Sequence, residues 1–177
     1  VDLFPLQLNN SLIYLNRFKK VIVGVAAISD KLFAQIQNAP CEIYETFGIT
    51  DSINHIATRP FNKLKDNVLP KLKALDDVVI ETDDRNCLVV VAHHLNKDKI
   101  VTNDVILMHS ENTFELIGRI DNMINTGGVK VYPERIERQL NPLISQRFFI
   151  TDQKDEQLGF RVVLIVESDT DVFENID

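Results

Sequence analysis

The segment GRIDNMINTGGVKVYPERIE, residues 118–137, constrains the fold more than any other part of the chain. Gly127-Gly128 separates two short apolar segments and predicts a tight hairpin turn, because glycine accepts the positive φ angles that such turns require. Tyr132-Pro133 predicts a helix that starts at the proline, whose missing N–H is not needed in the first turn. A charged turn, residues 118–121, precedes both. Glycine has no side chain, so a ligand could approach the backbone closely between the charged turn and the helix, and this favours a ligand-binding interpretation.

The predicted helix covers residues 133–141 and is amphipathic. Ile136 and Leu140, four residues apart, give it an apolar stripe. Glu134 precedes Arg138 by four residues and is predicted to form an exposed ion pair with it.

Composition limits the classes of protein to which the chain can belong. It has 177 residues, 45% of them hydrophobic, and a net charge of -7, which describes a globular chain with a sizeable core. The acidic balance argues against nucleic acid or an anionic membrane as the main partner. The two cysteines, Cys41 and Cys87, lie in apolar segments and are predicted to be buried free thiols, which fits a reducing cytoplasm. No apolar run approaches the ~20 residues that span a bilayer.

The first half of the sequence predicts a βαβ unit. Residues 20–25 and 41–47 read as buried strands, and residues 29–38 as the helix between them. In open α/β sheets ligands collect beyond the carboxyl ends of the strands. Residues 24–28 and 48–54 are therefore the predicted ligand-facing segments.

Short strands dominate the middle of the chain, and a third region follows Asp121. The predicted strands of the antiparallel, barrel-like middle region are residues 55–59, 78–82, 88–92, 104–108 and 114–117, with a hairpin turn at DDRN, residues 83–86. After the helix, strands are predicted at residues 147–151 and 160–167, with a turn or short helix at 155–158. We predict domains of residues 1–120 and 121–177.

Both ends suggest that the sequence is a fragment of a longer protein. Val1 opens the chain, and the strand at residues 20–25 has no earlier strand predicted beside it. A buried strand and an acidic tail close the chain.

Three polar turns have both a functional and a structural interpretation. In FGITDS, residues 47–52, Phe47 could stack on a planar base, Thr50 could donate to a phosphate and Asp51 could bind Mg²⁺, or the residues could form a simple polar turn. Asp104 could accept hydrogen bonds from ribose hydroxyls, or it could cap a strand. Arg119 could donate to a nucleotide, or it could pair with Asp121 on the surface.

The order of these motifs resembles the acyl-adenylate-forming superfamily of acyl-CoA synthetases, peptide-synthetase adenylation domains and luciferases. The resemblance covers nearly the whole chain. FGITDSINHIA, RFFITDQKDEQLG and residues 118–137 look most like the o-succinylbenzoate:CoA ligases of menaquinone biosynthesis. The resemblance implies an α/β plus α+β fold. The chain would contain the C-terminal part of the family's large domain, with its βαβ unit and distorted antiparallel barrel, followed by a truncated small α+β domain.

The resemblance also implies roles for individual residues. Phe47 would pack on adenine, Thr50 would contact the α-phosphate and Asp51 would bind Mg²⁺, although the family has Tyr and Glu at the outer two positions. Asp104 and Arg119 would contact ribose, with Asn103 where glycine is frequent. The remaining implied positions are Gly24, Ala26 and Gly48 at the nucleotide, Asp121 as interdomain hinge, Gly127 and Gly128 at CoA, and Asn54 and His55 at the acyl group.

The implied reaction has two stages and uses ATP, Mg²⁺ and CoA. A small-molecule carboxylic acid attacks ATP to give an acyl-AMP and pyrophosphate, and CoA then displaces AMP. The family's phosphate-wrapping loop and catalytic lysine are expected outside residues 1–177, so the isolated chain is predicted to be inactive. Nucleic acid and membrane insertion are not expected, and the oligomeric state stays open, with a homodimer as one alternative.

Two other functions remain open at this point. The chain could belong to another acyl- or aryl-adenylating enzyme, or to a non-catalytic domain that retains the scaffold. Phe47 and Asp51, which depart from the family pattern, favour the latter. Gly-x-Ser-x-Gly, P-loop and Gly-x-Gly-x-x-Gly motifs do not occur in the sequence. His93 and His94 would point to opposite faces of a strand, and His109 is predicted to lie in a turn.

Overall fold

The computed structural model describes residues 1–24, 28–49, 53–65, 68–92 and 97–169. The chain divides into two compact units. The first contains Val1–Thr102 and Ile106–Glu115, and the second contains Asn103–Val105 and the chain from Leu116 onward. Each unit has its own buried side chains, and each is described separately below.

The N-terminal part of the first unit is a parallel βαβ arrangement, as predicted. Its elements are β1 (Asp2–Leu3), α1 (Pro5–Asn10), a 3-10 segment (Leu12–Arg17), β2 (Lys20–Gly24), α2 (Asp30–Ile36) and β3 (Glu42–Ile49). Strands β1 and β3 flank β2, and both pair with it in parallel. The Ser29 hydroxyl starts α2 by accepting a hydrogen bond from the Leu32 N–H at 3.2 Å. Side chains from all these layers form one core that includes Leu8, Leu15, Val21, Val23, Ile36 and Ile43.

The expectation that no strand precedes β2 is wrong. Strand β1 pairs with β2 in the register Asp2↔Ile22 and Leu3↔Val23. A strand of two residues has no measurable periodicity, so the sequence pattern could not reveal it. Pro5 then starts α1 at a position where a missing N–H is tolerated.

Antiparallel strands continue the same sheet. They are β4 (Ile53–Pro60), β5 (Leu72–Ala74), β6 (Val78–Thr82), β7 (Cys87–Ala92), β8 (Lys97–Ser110) and β9 (Thr113–Arg119). The strand order of the nine-stranded sheet is β1-β2-β3-β4-β5-β9-β8-β7-β6. The predicted antiparallel region is therefore confirmed, and β5 is a strand that the sequence analysis missed.

Strand β8 is longer than predicted, and this corrects two interpretations. It has 14 residues, so Asp104 lies in mid-strand and does not cap a strand. His109 lies in β8 and not in a turn, and its Nε2 is 3.5 Å from the Glu115 carboxylate on β9. The predicted turn at residues 83–86 is confirmed, and the Asp83 carboxylate holds it by accepting from the N–H groups of Arg85 and Cys87 at 2.8 and 2.9 Å.

The second unit contains a hairpin, a helix and a two-stranded sheet. The hairpin is β10 (Ile124–Thr126) with β11 (Val129–Val131), the helix is α3 (Pro133–Leu140), and the sheet is β12 (Phe148–Asp155) with β13 (Gly159–Val166). Glu137 on α3 accepts a hydrogen bond from the Ile150 N–H of β12 at 2.7 Å, which ties the helix to the sheet. The residues between β12 and β13 form a turn held by the Asp155 carboxylate, one of the two predicted alternatives.

Both cysteines are free and buried, as predicted. Burial raises the pKa of the Cys41 thiol above its ordinary value, so this cysteine stays a neutral thiol. Among the described residues, the helices are too short or too polar to cross a membrane.

Candidate functional site

Three predicted site residues meet in one charged network in the second unit. Asp104 lies on β8, Arg119 ends β9, and Asp121 lies in the 3-10 segment Ile120–Asn122. Arg119 Nη1 is 3.1 Å from Asp104 Oδ1, and Arg119 Nη2 is 2.9 Å from Asp121 Oδ2. The pairing of Arg119 with Asp121, one of the two alternatives for Arg119, is therefore present, and the same guanidinium also binds Asp104.

Asn103 extends the network to a fourth side chain. Its Nδ2 lies 3.2 Å from Asp121 Oδ1 and 3.1 Å from Asp121 Oδ2. Asp121 thus accepts hydrogen bonds from both Arg119 and Asn103. The sequence pattern gave no sign of the Asn103 contact, since the two residues lie far apart along the chain.

The electrostatics distinguish Asp104 from Asp121. The Asp104 side chain is 16% exposed, whereas that of Asp121 is 51% exposed. Burial raises the pKa of the Asp104 carboxyl above its ordinary value, the Arg119 guanidinium opposes that shift, and the carboxylates of Asp121 and Glu134 add to it. Hydrogen bonding to Asp121 and the charge of Asp104 raise the pKa of Arg119, which stays a cation.

Phe47 is a buried residue of the first unit. It lies on β3, is 7% exposed, and packs edge-to-face against Phe114, with ring centroids 5.9 Å apart and an interplanar angle of 76°. One contact of the Phe47 ring is therefore with another side chain of the protein. Its predicted contact with adenine remains a prediction.

His55 lies on β4 opposite the end of β3. Its Nδ1 is 2.8 Å from the hydroxyl of Thr46, and its Nε2 is 3.8 Å from the carboxylate of Asp2. Thr46 is 3% exposed, and the His55 side chain is 33% exposed. Thr46 was not among the predicted site residues.

The other residues predicted at the nucleotide and acyl groups are only partly described. Gly24 ends β2, and Gly48 lies in β3 where the register with β4 shifts. Asn54 lies in β4, and its side chain is outside the described part. Ala26, Thr50, Asp51, His93 and His94 also lie outside the described residues. No group of three His, Cys, Asp or Glu side chains that could hold a metal ion occurs in the described part of the chain.

Gly127 and Gly128 form the predicted hairpin turn. Their φ angles are +56° and +88°, which glycine adopts readily and other residues resist. Gly127 N–H donates to the Leu158 carbonyl at 3.0 Å, and Gly128 N–H donates to Asn125 Oδ1 at 3.1 Å. The tip of the hairpin is therefore a fixed element of the second unit.

The expected ion pair between Glu134 and Arg138 is replaced by contacts to other parts of the second unit. Glu134 Oε1 accepts from Asn122 Nδ2, and Arg138 Nη1 donates to the Leu116 carbonyl at 3.0 Å. The other oxygen of Glu134 is buried without a hydrogen-bond partner. A cavity of about 360 Å³ lies beside this residue, and its polar lining includes Asp121, Asn122, Glu134, Glu137, Thr151 and Asp152.

Comparison with known proteins identifies a sequence relative, although no family model matches the chain. The chain is 27% identical over 181 residues to the 2-succinylbenzoate--CoA ligase of Escherichia coli (strain K12), which covers 95% of this chain and 39% of that protein. The chain thus spans about two fifths of the length of this curated relative.

Solved structures share the fold of the chain. An acyl-CoA synthetase (AMP-forming)/AMP-acid ligase II-like protein from Dyadobacter fermentans is 29% identical with a TM-score of 0.62, covering 96% of this chain and 51% of that one. The O-succinylbenzoate coenzyme A synthetase of Bacillus subtilis, solved with ATP and magnesium, is 14% identical with a TM-score of 0.70, covering 93% and 41%.

The fold is that of the C-terminal portion of adenylate-forming enzymes, as predicted. The chain resembles the acyl-adenylate-forming superfamily over nearly its whole length. The ligases that it matches by sequence are 2-succinylbenzoate--CoA ligases.

Proposed function

We propose that the chain is part of an AMP-forming acid:CoA ligase that converts 2-succinylbenzoate, ATP and CoA to the CoA thioester, AMP and pyrophosphate. This reaction belongs to menaquinone biosynthesis. The sequence relationship to 2-succinylbenzoate--CoA ligases supports this assignment. The observation that carries it at the site is the network in which Arg119 joins Asp104 and Asp121.

The chemistry of Asp104 and Arg119 fits the ribose of ATP. A carboxylate accepts hydrogen bonds from vicinal hydroxyls, as acidic residues do in other nucleotide-binding folds, and a guanidinium donates to ribose oxygens. Arg119 fixes the orientation of the Asp104 carboxylate through a contact of 3.1 Å. We assign the ribose to these two side chains.

We assign the other groups by motif. Phe47 packs on adenine, together with the backbone at Gly24, Ala26 and Gly48. Thr50 contacts the α-phosphate, and Asp51 binds Mg²⁺. Asn54 and His55 border the acyl group, and Gly127-Gly128 approaches CoA. Asp121 is the hinge between the proposed domains 1–120 and 121–177, where a short charged segment can absorb changes in φ and ψ. The 177-residue chain alone is expected to give no ATP/pyrophosphate exchange.

A second candidate is a ligase for another acyl or aryl acid. The acyl-CoA synthetase of Dyadobacter fermentans, at 29% identity, supports it. A non-catalytic domain with the same scaffold is a third candidate, supported by Phe47 and Asp51 at positions where the family has Tyr and Glu.

The test uses the full-length product of the gene that encodes this sequence. ATP/pyrophosphate exchange and CoA thioester formation are measured with 2-succinylbenzoate and with a panel of fatty and aromatic acids. We expect 2-succinylbenzoate to give the highest kcat/KM. Higher kcat/KM for another acid would favour the second candidate, and no exchange with any acid would favour the third.

Arg119 gives a sharper test of the site. In the same protein, Arg119→Ala removes charged hydrogen bonds and should weaken ATP binding by roughly 10- to 100-fold. Arg135→Ala, an exposed position on α3, is the matched control and should leave ATP affinity unchanged. Melting temperatures of both variants separate loss of binding from loss of folding. Unchanged ATP affinity in a folded Arg119→Ala protein would refute the ribose assignment.

A further inference from the structure

The end of strand β3 pairs irregularly with β4, and His55 lies in the irregular part. Phe47 pairs with Ala57, but Ile49 pairs with Ile53, so residues 54–56 of β4 stand opposite Gly48 alone. Such bulges bend a strand and re-aim a side chain, and they are over-represented beside active sites. The bulge brings the ring of His55 to Thr46 and not to a directly opposed residue.

The hydroxyl of Thr46 has one hydrogen but contacts two partners. Its Oγ1 is 3.3 Å from the Ala57 carbonyl oxygen and 2.8 Å from His55 Nδ1. A carbonyl oxygen can only accept, so the Thr46 hydroxyl must donate to it for that contact to be a hydrogen bond. The hydroxyl oxygen then accepts from His55, which requires a hydrogen on Nδ1.

The position of the hydrogen decides which ring nitrogen of His55 is a donor and which is an acceptor. With Nδ1–H bound to the buried Thr46, Nε2 is the nitrogen that carries the lone pair of the neutral ring. Nε2 lies 3.8 Å from Asp2 Oδ2, and both Asp2 and the ring are partly exposed. Because Nδ1 contacts the buried Thr46, Nε2 is the ring nitrogen that remains for a ligand, beside the Asp2 carboxylate.

We propose that Thr46 is a positioning residue that fixes the hydrogen of His55 on Nδ1 and presents Nε2 to the acyl substrate. The substrate part of this inference rests on the proposed function, in which His55 borders the acyl group. The positioning part rests only on the two contacts of Thr46. Because Thr46 is only 3% exposed, we assign it a role through His55 and not a direct contact with the substrate.

The tautomer of His55 can be read directly by nuclear magnetic resonance. Imidazole ¹⁵N and ¹H signals of the 177-residue chain are recorded at a pH at which the rings are neutral, and His55→Gln assigns the His55 signals. We expect Nδ1–H in the unmodified chain, and also in Thr46→Ser, which keeps the hydroxyl. Thr46→Val removes the acceptor, and the hydrogen should move to Nε2, which faces the Asp2 carboxylate at 3.8 Å.

Thr58→Val is the matched control, because Thr58 is the register partner of Thr46 and has no role in the proposal. It should leave the His55 signals unchanged. Nε2–H in the unmodified chain would overturn the proposal without requiring any variant to fold. An unchanged tautomer in a folded Thr46→Val chain would also overturn it.

The full-length gene product adds a kinetic readout. Thr46→Val should raise KM for the preferred acid by roughly 5- to 10-fold with a smaller effect on kcat, and Thr46→Ser should restore KM. Thr58→Val should change neither parameter. If no acid is activated, the proposed function fails while the tautomer result still decides the role of Thr46. If the tautomer changes and KM does not, the substrate part is wrong.

Discussion

Glu115 shows how one partly exposed carboxylate is stabilised by partners from two other parts of the chain. It lies on β9, accepts a hydrogen bond from Lys71 Nζ, and is 3.5 Å from His109 Nε2 on β8. The hydrogen bond from Lys71 lowers the pKa of the Glu115 carboxyl below its ordinary value, partial burial opposes this shift, and His109 adds to it. The carboxylate form is therefore favoured by folding.

This shift gives a pH-dependent effect of Glu115→Gln. Because the folded-state pKa is lower than the unfolded value, the carboxylate stabilises the fold above the unfolded pKa, and this contribution is lost as the pH falls through the folded pKa. We expect Glu115→Gln to lower the free energy of unfolding by about 0.5–1 kcal/mol at neutral pH, since the pair is partly exposed. The difference should shrink below about pH 4.5.

Urea unfolding at pH 7 and at about pH 3 measures this effect. Glu111→Gln, at an exposed position in the β8–β9 turn, is the control and should change stability by less than about 0.5 kcal/mol at either pH. A difference for Glu115→Gln that is the same at both pH values would contradict the carboxylate explanation.

Single residues were predictable where partners are near in sequence or belong to a motif. Arg119 and Asp121 are two positions apart, and their pairing, one of the two alternatives for Arg119, is present. The contact between Asn103 and Asp121 follows from the approach of separate elements, which no local pattern encodes. Pairs four apart on a helix contribute only about 0.2–0.5 kcal/mol, so Glu134 could bind Asn122 instead of Arg138.

At the scale of elements, Gly118 marks the close approach of β9 to α3. A Cβ atom at Gly118 would collide with the Glu134 carboxylate and lie 3.1 Å from Tyr132 Cβ. Glu134 would have to move and give up its hydrogen bond to Asn122. A glycine at this position therefore lets the end of a strand lie against the start of a helix.

Gly118→Ala should lower the free energy of unfolding by about 1–3 kcal/mol, because the added methyl group overpacks this contact. Gly24→Ala is the control for stability, since a Cβ there meets no described atom within 4 Å. Denaturant unfolding measures both. Adding Glu134→Ala to Gly118→Ala should recover part of the loss, so the two changes should be less than additive. Full additivity would rule out the collision.

Elements with clear periodicity or turn residues were predicted well, and elements defined only by their partners were predicted poorly, for a physical reason. Strand β2, helix α3 and the glycine hairpin have clear periodicity or turn residues, and their positions were predicted to within a few residues. Strands β1 and β5, of two and three residues, are defined by the partners that they join. Tertiary pairing, which single-sequence patterns do not carry, decides such elements.

At the scale of the whole molecule, the chain has two compact units whose composition bears on the proposed hinge. The second unit includes Asn103–Val105 and the chain from Leu116 onward. Within this unit, Asp121 accepts a hydrogen bond from Arg119, and the Leu116 carbonyl accepts from Arg138. The predicted domain of residues 121–177 would lack both contacts, because one partner of each lies before residue 121. We therefore expect folding of this unit to require strand residues before position 121.

We therefore expect a fragment of residues 97–177, which keeps the whole β8–β9 hairpin, to be more stable than a fragment of residues 121–177. The shorter fragment lacks Asn103, Leu116 and Arg119, which are bound to Asp121 or Arg138 in the full chain, and at about 1 kcal/mol per hydrogen bond it should be less stable by roughly 2–4 kcal/mol. Amide chemical-shift dispersion and urea unfolding of both fragments measure this. Asp104→Asn weakens the pair with Arg119 in the longer fragment. It should lower the stability of that fragment by only part of the difference between the two fragments. Equal stability of the two fragments would instead support a folding boundary at residue 121, because the contacts before that position would then contribute nothing to the second unit.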